Sequence, residues 1–397
     1  MRFPYLHARR WLLPLLPLVA SAGVLASPFT PTSDQQVLEV LPARAADPRM
    51  QALRELRAAA ARNPNDVNAA VRLAHRYYDE VSAEGDPRYI GYAQAALAPW
   101  WQLPEPPASV RVMRAILLQF SHQFDAALAD LSAAVQEEPL NGEAWAWQAA
   151  IQMVRADYPA SRRACQQLAA LATPLIGAAC LAHVDSHTGQ ATAAANMLRA
   201  ALAQAPQAAP EEQLWALTRL AEIEERRGRP VEAEAAYQRA LALGLADVYL
   251  LAAYADFLLD RGRAADVLVL LKDQARSDLL LLRLALAAKA ANDPRLADWR
   301  SDLGARFEAA RLRGDATHQK EESRFVLGLL NQAEPALLLA KQNYAEQREP
   351  ADARILLEAA LAARQAAAAE PVLQWMASSR IESVALQTLV RRLKEGS

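Results

Sequence analysis

The sequence predicts an all-helical chain, and three observations predict it. Hydrophobic residues make up 53% of the chain and aromatic ones only 6%, so alanine and leucine supply most of the apolar surface, which favours helix over sheet. Only 13 glycines punctuate 397 residues. No stretch alternates Val, Ile, Thr or aromatic residues with the period of two that a strand requires. The length allows one large core, two modest ones or a run of stacked units. With 43 Lys+Arg against 45 Asp+Glu, the formal charge of −2 gives no global attraction to nucleic acid or anionic lipid.

The first element is residues 1–26. Arg2, Arg9 and Arg10 flank the apolar segment WLLPLLPLVASAGV, and small residues then offer two cleavage signals, Ala20–Ala22 and Val24–Ala26. This is the three-part layout of a secretory signal peptide, with cleavage expected near Ala26. The mature chain is then expected to be periplasmic or secreted. The apolar run is shorter than the ~20 residues of a spanning helix, and Pro14 and Pro17 interrupt it. No membrane span is therefore expected after cleavage; an uncleaved anchor is the alternative. Residues 27–47 hold Pro28, Pro31 and Pro42 among Phe29, Val37, Leu38, Val40 and Leu41. They read as an extended arm or linker, too apolar for a solvated tail and so expected to lie ordered against the helices.

From residue 48 a pattern recurs. Ala127, Leu131, Ala134 and Pro139 run small, large, small, Pro at spacings of four, three and five. Ala194, Leu198, Ala201 and Pro206 repeat it, as do Ala52, Leu56, Ala59 and Pro64. Ala233, Tyr237 and Ala240 follow it up to Leu245, Ser161, Cys165 and Leu168 have Pro174 one residue late, and Val267 with Leu271 is a weaker copy. The physical reason is close helix packing: small residues let a neighbouring helix approach, the large one fills the gap, and Pro opens the next helix. Upstream of each copy lies another amphipathic helix, ending near Gly189, Gly228 or Gly262 in positions that suit a C-cap. Ala127 to Ser161 and Ala233 to Val267 are each 34 residues.

In period and in its small–aromatic–small second helix, this pattern resembles the tetratricopeptide repeat (TPR) family. The resemblance implies a right-handed superhelix of antiparallel helix pairs whose first helices line a concave groove. Repeats are expected over 48–275, beginning with a lengthened first helix from Asp66, and a helical continuation with a capping helix over 276–397. Two readings stay open there. Ala353, Leu357 and Ala360 look like a second helix, whereas counting onward from Leu271 makes them a first helix.

The resemblance also implies a groove surface. Its positions fall on Gln119 and Phe120, then Met153, then His183 and His187, then Trp215, Glu222, Glu225 and Arg226, and finally Tyr249, Asp256 and Asp260. Such a groove starts apolar, passes two histidines and becomes acidic. The Lys and Asn set that clamps a chain-terminal carboxylate in chaperone-binding TPR proteins is missing, so a basic or apolar segment of a protein or peptide partner is expected. No GxSxG, Walker loop, HExxH or CxxC is present. Neither a catalytic residue nor a cofactor is therefore expected, and the chain reads as a non-enzymatic scaffold or adaptor.

CLAHVDSHTG, Cys180 to Gly189, leaves alternatives open. His183 and His187, one turn apart, could ligate a metal with Glu222, touch a partner in a pH-sensitive way, or be ordinary surface. A periplasmic metal-binding or metal-delivery protein is thus the alternative function. Consecutive helices of a TPR-like stack pack together, so Cys165 and Cys180 are expected either to form a disulfide in an oxidising compartment or to pack as two thiols. In PWWQLPEPP, Trp100 and Trp101 are expected to plug a gap between helix pairs or to dock a partner.

Overall fold

The computed structural model describes residues 48–314 and 317–395. The signal peptide expected at 1–26 and the arm expected at 27–47 lie outside the described residues. Helix α1 (Pro48–Arg62) is followed by α2 (Val67–Glu84), α3 (Arg88–Ala96) and the short α4 (Ala98–Trp101). Then come the pairs α5 (Ala108–Phe120) and α6 (Phe124–Glu137), α7 (Gly142–Val154) and α8 (Tyr158–Leu171), and α9 (Pro174–His187) and α10 (Ala191–Gln204). The run continues with α11 (Pro210–Arg226) and α12 (Pro230–Leu241), α13 (Val248–Leu259) and α14 (Ala264–Leu270), and α15 (Asp278–Ala291) and α16 (Leu296–Leu312). It closes with α17 (Gln319–Gly328) and α18 (Ala333–Glu346), α19 (Pro350–Ala362) and α20 (Glu370–Ser379), and a last helix, α21 (Val384–Glu395). The described residues form an all-α, TPR-like solenoid of helix pairs, with α2–α3 as the first pair.

Local chemistry sets the boundaries. Asp66, Asn141, Thr173 and Asp247 accept hydrogen bonds from the third residue onward, capping the first helices α2, α7, α9 and α13. Proline at the first turn starts α9, α11, α12 and α19. Within each pair the turn contains a left-handed residue: Gly85, His122, Ala156, Gly189, Gly228, Gly262, Asn292, Asn331 and Arg364. The order of the helices gives the register beyond residue 276, although left-handed residues also stand between pairs at Gly244, Gly314 and Arg380. Counting the pairs α15–α16 and α17–α18 makes α19 a first helix, so Ala353, Leu357 and Ala360 lie on a first helix, though α19 packs mainly on α18 and α21 rather than on α20. They are fully buried all the same, because α19 packs against both α18 and α21.

In α6 and α12 the small–large–small positions do what packing requires: Ala127, Leu131 and Ala134 are fully buried, and so are Ala233, Tyr237 and Ala240. In α1 the copy fails, with Ala52 exposed, Leu56 and Ala59 half-buried and Leu53 the buried residue instead. Cys165 on α8 and Cys180 on α9 are joined in a disulfide with 5.4 Å between their Cα atoms. Trp100 and Trp101 are half-buried against the core of the early repeats, and the Trp101 carbonyl accepts from Arg114 Nη1 at 2.6 Å. Among the described residues no helix is long and apolar enough to cross a membrane.

The feature that positions the site is the return of the C-terminal helices onto the early ones. The Arg348 amide donates to the Val154 carbonyl at the end of α7 at 2.8 Å. Trp375 Nε1 donates to Tyr158 Oη at 2.8 Å. Glu382 accepts from the Ala191 amide at 3.2 Å, capping α10, which lacks a cap of its own. Gly189 and Gly228, at φ of +79° and +72°, lie against Arg380 and Val384, and at that φ a side chain is strained. The concave side of the first helices is therefore closed by the chain's own C-terminal part, and this corrects the open groove implied by the repeat pattern.

Candidate binding pocket on the concave side

Between the first helices α9, α11 and α13 and the later first helices α15, α17 and α19 lies a pocket of about 430 Å³. Helical periodicity builds both walls. His183 and His187 stand one turn apart on α9, and Arg219, Glu222, Glu225 and Arg226 share one face of α11. Tyr249, Ala252 and Asp256 come from α13. Opposite them are Leu279 and Arg283 of α15, Lys320, Glu321 and Arg324 of α17, and Arg354, Ile355 and Glu358 of α19, with Glu349 at its N-cap.

The carboxylates of the early wall are neutralised from within the chain. Asp256 accepts from Arg283 Nη2 at 2.7 Å and Nε at 3.1 Å, and pairs with Arg324 Nη1 at 2.7 Å. Burial alone would raise its carboxyl, but the two guanidinium groups more than offset this and hold it well below the usual range. Asp260 takes Arg354 Nη2 at 2.7 Å, and Arg354 also reaches Glu358 at 2.7 Å. Glu222 pairs with Arg219 at 3.2 Å and accepts from the Tyr249 hydroxyl, while the Arg219 guanidinium sits 4.9 Å over the Tyr249 ring. The acidic groove expected from sequence is thus an internally paired charge network. A basic partner would have to displace Arg283, Arg324 and Arg354.

Two carboxyls behave otherwise. Burial first, and then Asp260, push Glu225 up to about 7, with the Tyr237 hydroxyl 3.2 Å away. Burial and Asp352 raise Glu349 as well. Both histidines are held neutral: burial lowers His183 well below its ordinary value with help from Arg219, and burial and Arg226 do the same to His187. Their rings meet edge-on at 4.7 Å, and His187 Nδ1 donates to the His183 carbonyl at 2.8 Å. Among the described residues no three His, Cys, Asp or Glu side chains come close enough to hold a metal ion. The groups beside the imidazoles are guanidiniums, which repel a cation.

His183, His187, Glu222, Glu225, Tyr249 and Asp256 are thus brought together, and Asp260 joins through Arg354. Four other groove positions stand elsewhere. Gln119 donates to Tyr78 Oη at 3.3 Å, and Phe120 borders a separate depression beside His122. Met153 is buried in the core around the disulfide, and Trp215 is half-buried against that core and its neighbour. Sequence reasoning missed Arg219, Arg283, Lys320, Arg324, Glu349 and Arg354. Those on α15, α17 and α19 lie where the repeat pattern had faded, and no local signal marks which of their faces turns inward.

Comparison with known proteins returns only distant likenesses among solved structures. No family profile and no curated protein sequence matches the chain. Among solved structures it is similar to the APC/C hetero-tetramer Cut9–Hcn1 at 13% identity and a TM-score of 0.46, over 83% of this chain and 63% of that one. Human IFIT1, solved as a dimer with m7Gppp-AAAA, shares 15% identity at a TM-score of 0.44, over 88% and 87% of the two chains. A tetratricopeptide repeat protein from Parabacteroides merdae shares 13% at 0.35, over 73% and 98%. At such identities and scores none of them bears on what this chain binds.

Proposed function

We propose that this chain is a non-enzymatic, TPR-like binding scaffold, exported to the periplasm or secreted, which holds a partner protein through its concave side. The observation that carries this reading is the pocket of about 430 Å³ where first helices from both halves of the solenoid converge. It is too small for a long extended segment, so the partner inserts a short one or a single side chain there. Convergent polar groups around an apolar floor are the usual make-up of such sites. The signal-peptide layout of residues 1–26 and the bridged cysteines support the compartment. The metal-delivery alternative on His183 and His187 has no third ligand and two cationic neighbours, and no observation favours it.

A photo-crosslinking residue at Tyr249, which lines the pocket, tests the reading against one at Leu312, 83% exposed on α16. In extracts of the exporting cell, the expected result is one discrete protein adduct at Tyr249 and none at Leu312. No adduct at Tyr249, or the same adducts at both positions, contradicts it.

A further inference from the structure

Of the cations lining the pocket, Arg226 alone makes no ion pair among the described residues. Arg219 pairs with Glu222, Arg283 and Arg324 with Asp256, Lys320 with Asp352, and Arg354 with Asp260, each within ion-pair distance. Arg226 has no carboxylate partner. Its Nη2 donates to Ser186 Oγ at 2.7 Å, and its Nε is buried with no acceptor. Two more polar atoms of the same wall are buried without a hydrogen-bond partner: Arg219 Nε and His183 Nδ1. Leaving a cation uncompensated and several polar atoms unsatisfied at one spot costs stability, while supplying the missing acceptor recovers it.

We propose that the His183–Arg219–Arg226 corner of the pocket binds the carboxylate of a small organic acid. The carboxylate forms a charge-assisted pair with the Arg226 guanidinium, and the acid's apolar body lies toward Tyr249, Leu279 and Ile355. One uncompensated cation matches one negative charge. Glu225 in the same wall opposes a dianion more strongly than a monoanion, which disfavours phosphate. The reversal of the sequence expectation is physical: Asp256 and Asp260 of the early wall are taken by arginines of the later one, Glu222 by Arg219 beside it, and Arg226 is left without an ion pair. This inference rests on the pocket being a binding site and names the chemistry it takes.

The probes are benzoate and hexanoate, benzamide as the uncharged match, inorganic phosphate, and a dipeptide with a free or amidated C-terminus, titrated calorimetrically into the folded full chain. Saturable binding of either acid is expected, with benzamide and phosphate weaker by about tenfold or more. Arg226→Gln is expected to lose the acid by a similar factor while melting at or above the wild-type temperature, since it removes an unpaired buried cation. Binding of only the free-terminus dipeptide would keep the carboxylate site and assign its source to a chain end. Benzamide binding as tightly as benzoate, no carboxylate binding, or full affinity in Arg226→Gln would overturn the proposal. The wild-type comparison of acid with amide stands whether or not the variant folds. If these titrations fail while the Tyr249 adduct forms, this inference alone falls.

Discussion

The two walls of the pocket are built to different rules. Helices α9, α11 and α13 belong to repeats whose spacing is regular and whose second helices show the small–large–small pattern. Helices α15, α17 and α19 belong to pairs in which that pattern has faded, yet they supply Arg283, Arg324 and Arg354, the cations that answer the early wall's acids. The difference shows that a repeat pattern describes how neighbouring helices stack and nothing about what faces them a superhelical turn later. Charge complementarity between the walls then decides which surface stays open.

The sharpest way to break this comparison is to remove the acid that Arg283 and Arg324 of the later wall share. Asp256→Ala leaves Arg283, whose side chain is 8% exposed, and Arg324 uncompensated. It is expected to destabilise the fold by about 3 kcal/mol or more in urea denaturation. Asp260→Ala frees only Arg354, whose side chain is 33% exposed and keeps Glu358, and is expected to cost about 1 kcal/mol or less. Equal effects would mean that the walls are not joined through Asp256. For the same reason Asp256→Lys changes the fold itself as well as any partner contact.

Next comes the early wall's covalent tie. Replacing Cys165 and Cys180 by Ala opens a loop with a sequence separation of 15 and is expected to cost about 3 kcal/mol in the chain-entropy model. The oxidised wild type, unfolded under alkylating conditions, should show no free thiol; two per chain would remove the bridge from the account.

The smallest effect is a pH dependence. Glu225 titrates at about 7 in the fold against 4.5 ordinarily, so the folded state holds its proton more tightly than the unfolded one. That contribution is complete below about pH 4.5 and is lost as the pH rises to about 7. His183 and His187 act on the acid side. Their depressed folded values make stability fall as the pH drops below the ordinary histidine range. Glu225→Gln should therefore gain on the wild type by a few degrees of melting temperature between acid and neutral pH, and no further above it. A constant difference across that range would show that Glu225 is not desolvated.

Much of the solenoid was legible because its packing is local. Ala127–Leu131–Ala134 and its copies report contacts between adjacent helices, and Asp66, Asn141 and Asp247 cap helices from three residues away. His183, His187, Glu222, Tyr249 and Asp256 could be placed on inward faces for the same reason. Their partners could not. Arg324 lies 68 residues from Asp256 in the chain and Arg354 lies 94 from Asp260, distances over which no periodicity carries information. The turn at Arg364 left the register of α19 open because left-handed backbone there is not marked by glycine.

The central claim is that the C-terminal helices close the concave side of the early repeats, and an engineered disulfide tests it most directly. A Cβ built on Gly228 lies 3.7 Å from Val384 Cβ, within the range a disulfide spans. The positive φ at Gly228 makes Cys there cost roughly 1–2 kcal/mol, less than the roughly 5 kcal/mol that bridging so long a loop contributes. In Gly228→Cys/Val384→Cys purified under oxidising conditions, the account predicts an intramolecular bridge, faster migration on a non-reducing gel and no free thiol. Two free thiols in the folded variant would mean that the C-terminal helices do not rest on the early repeats.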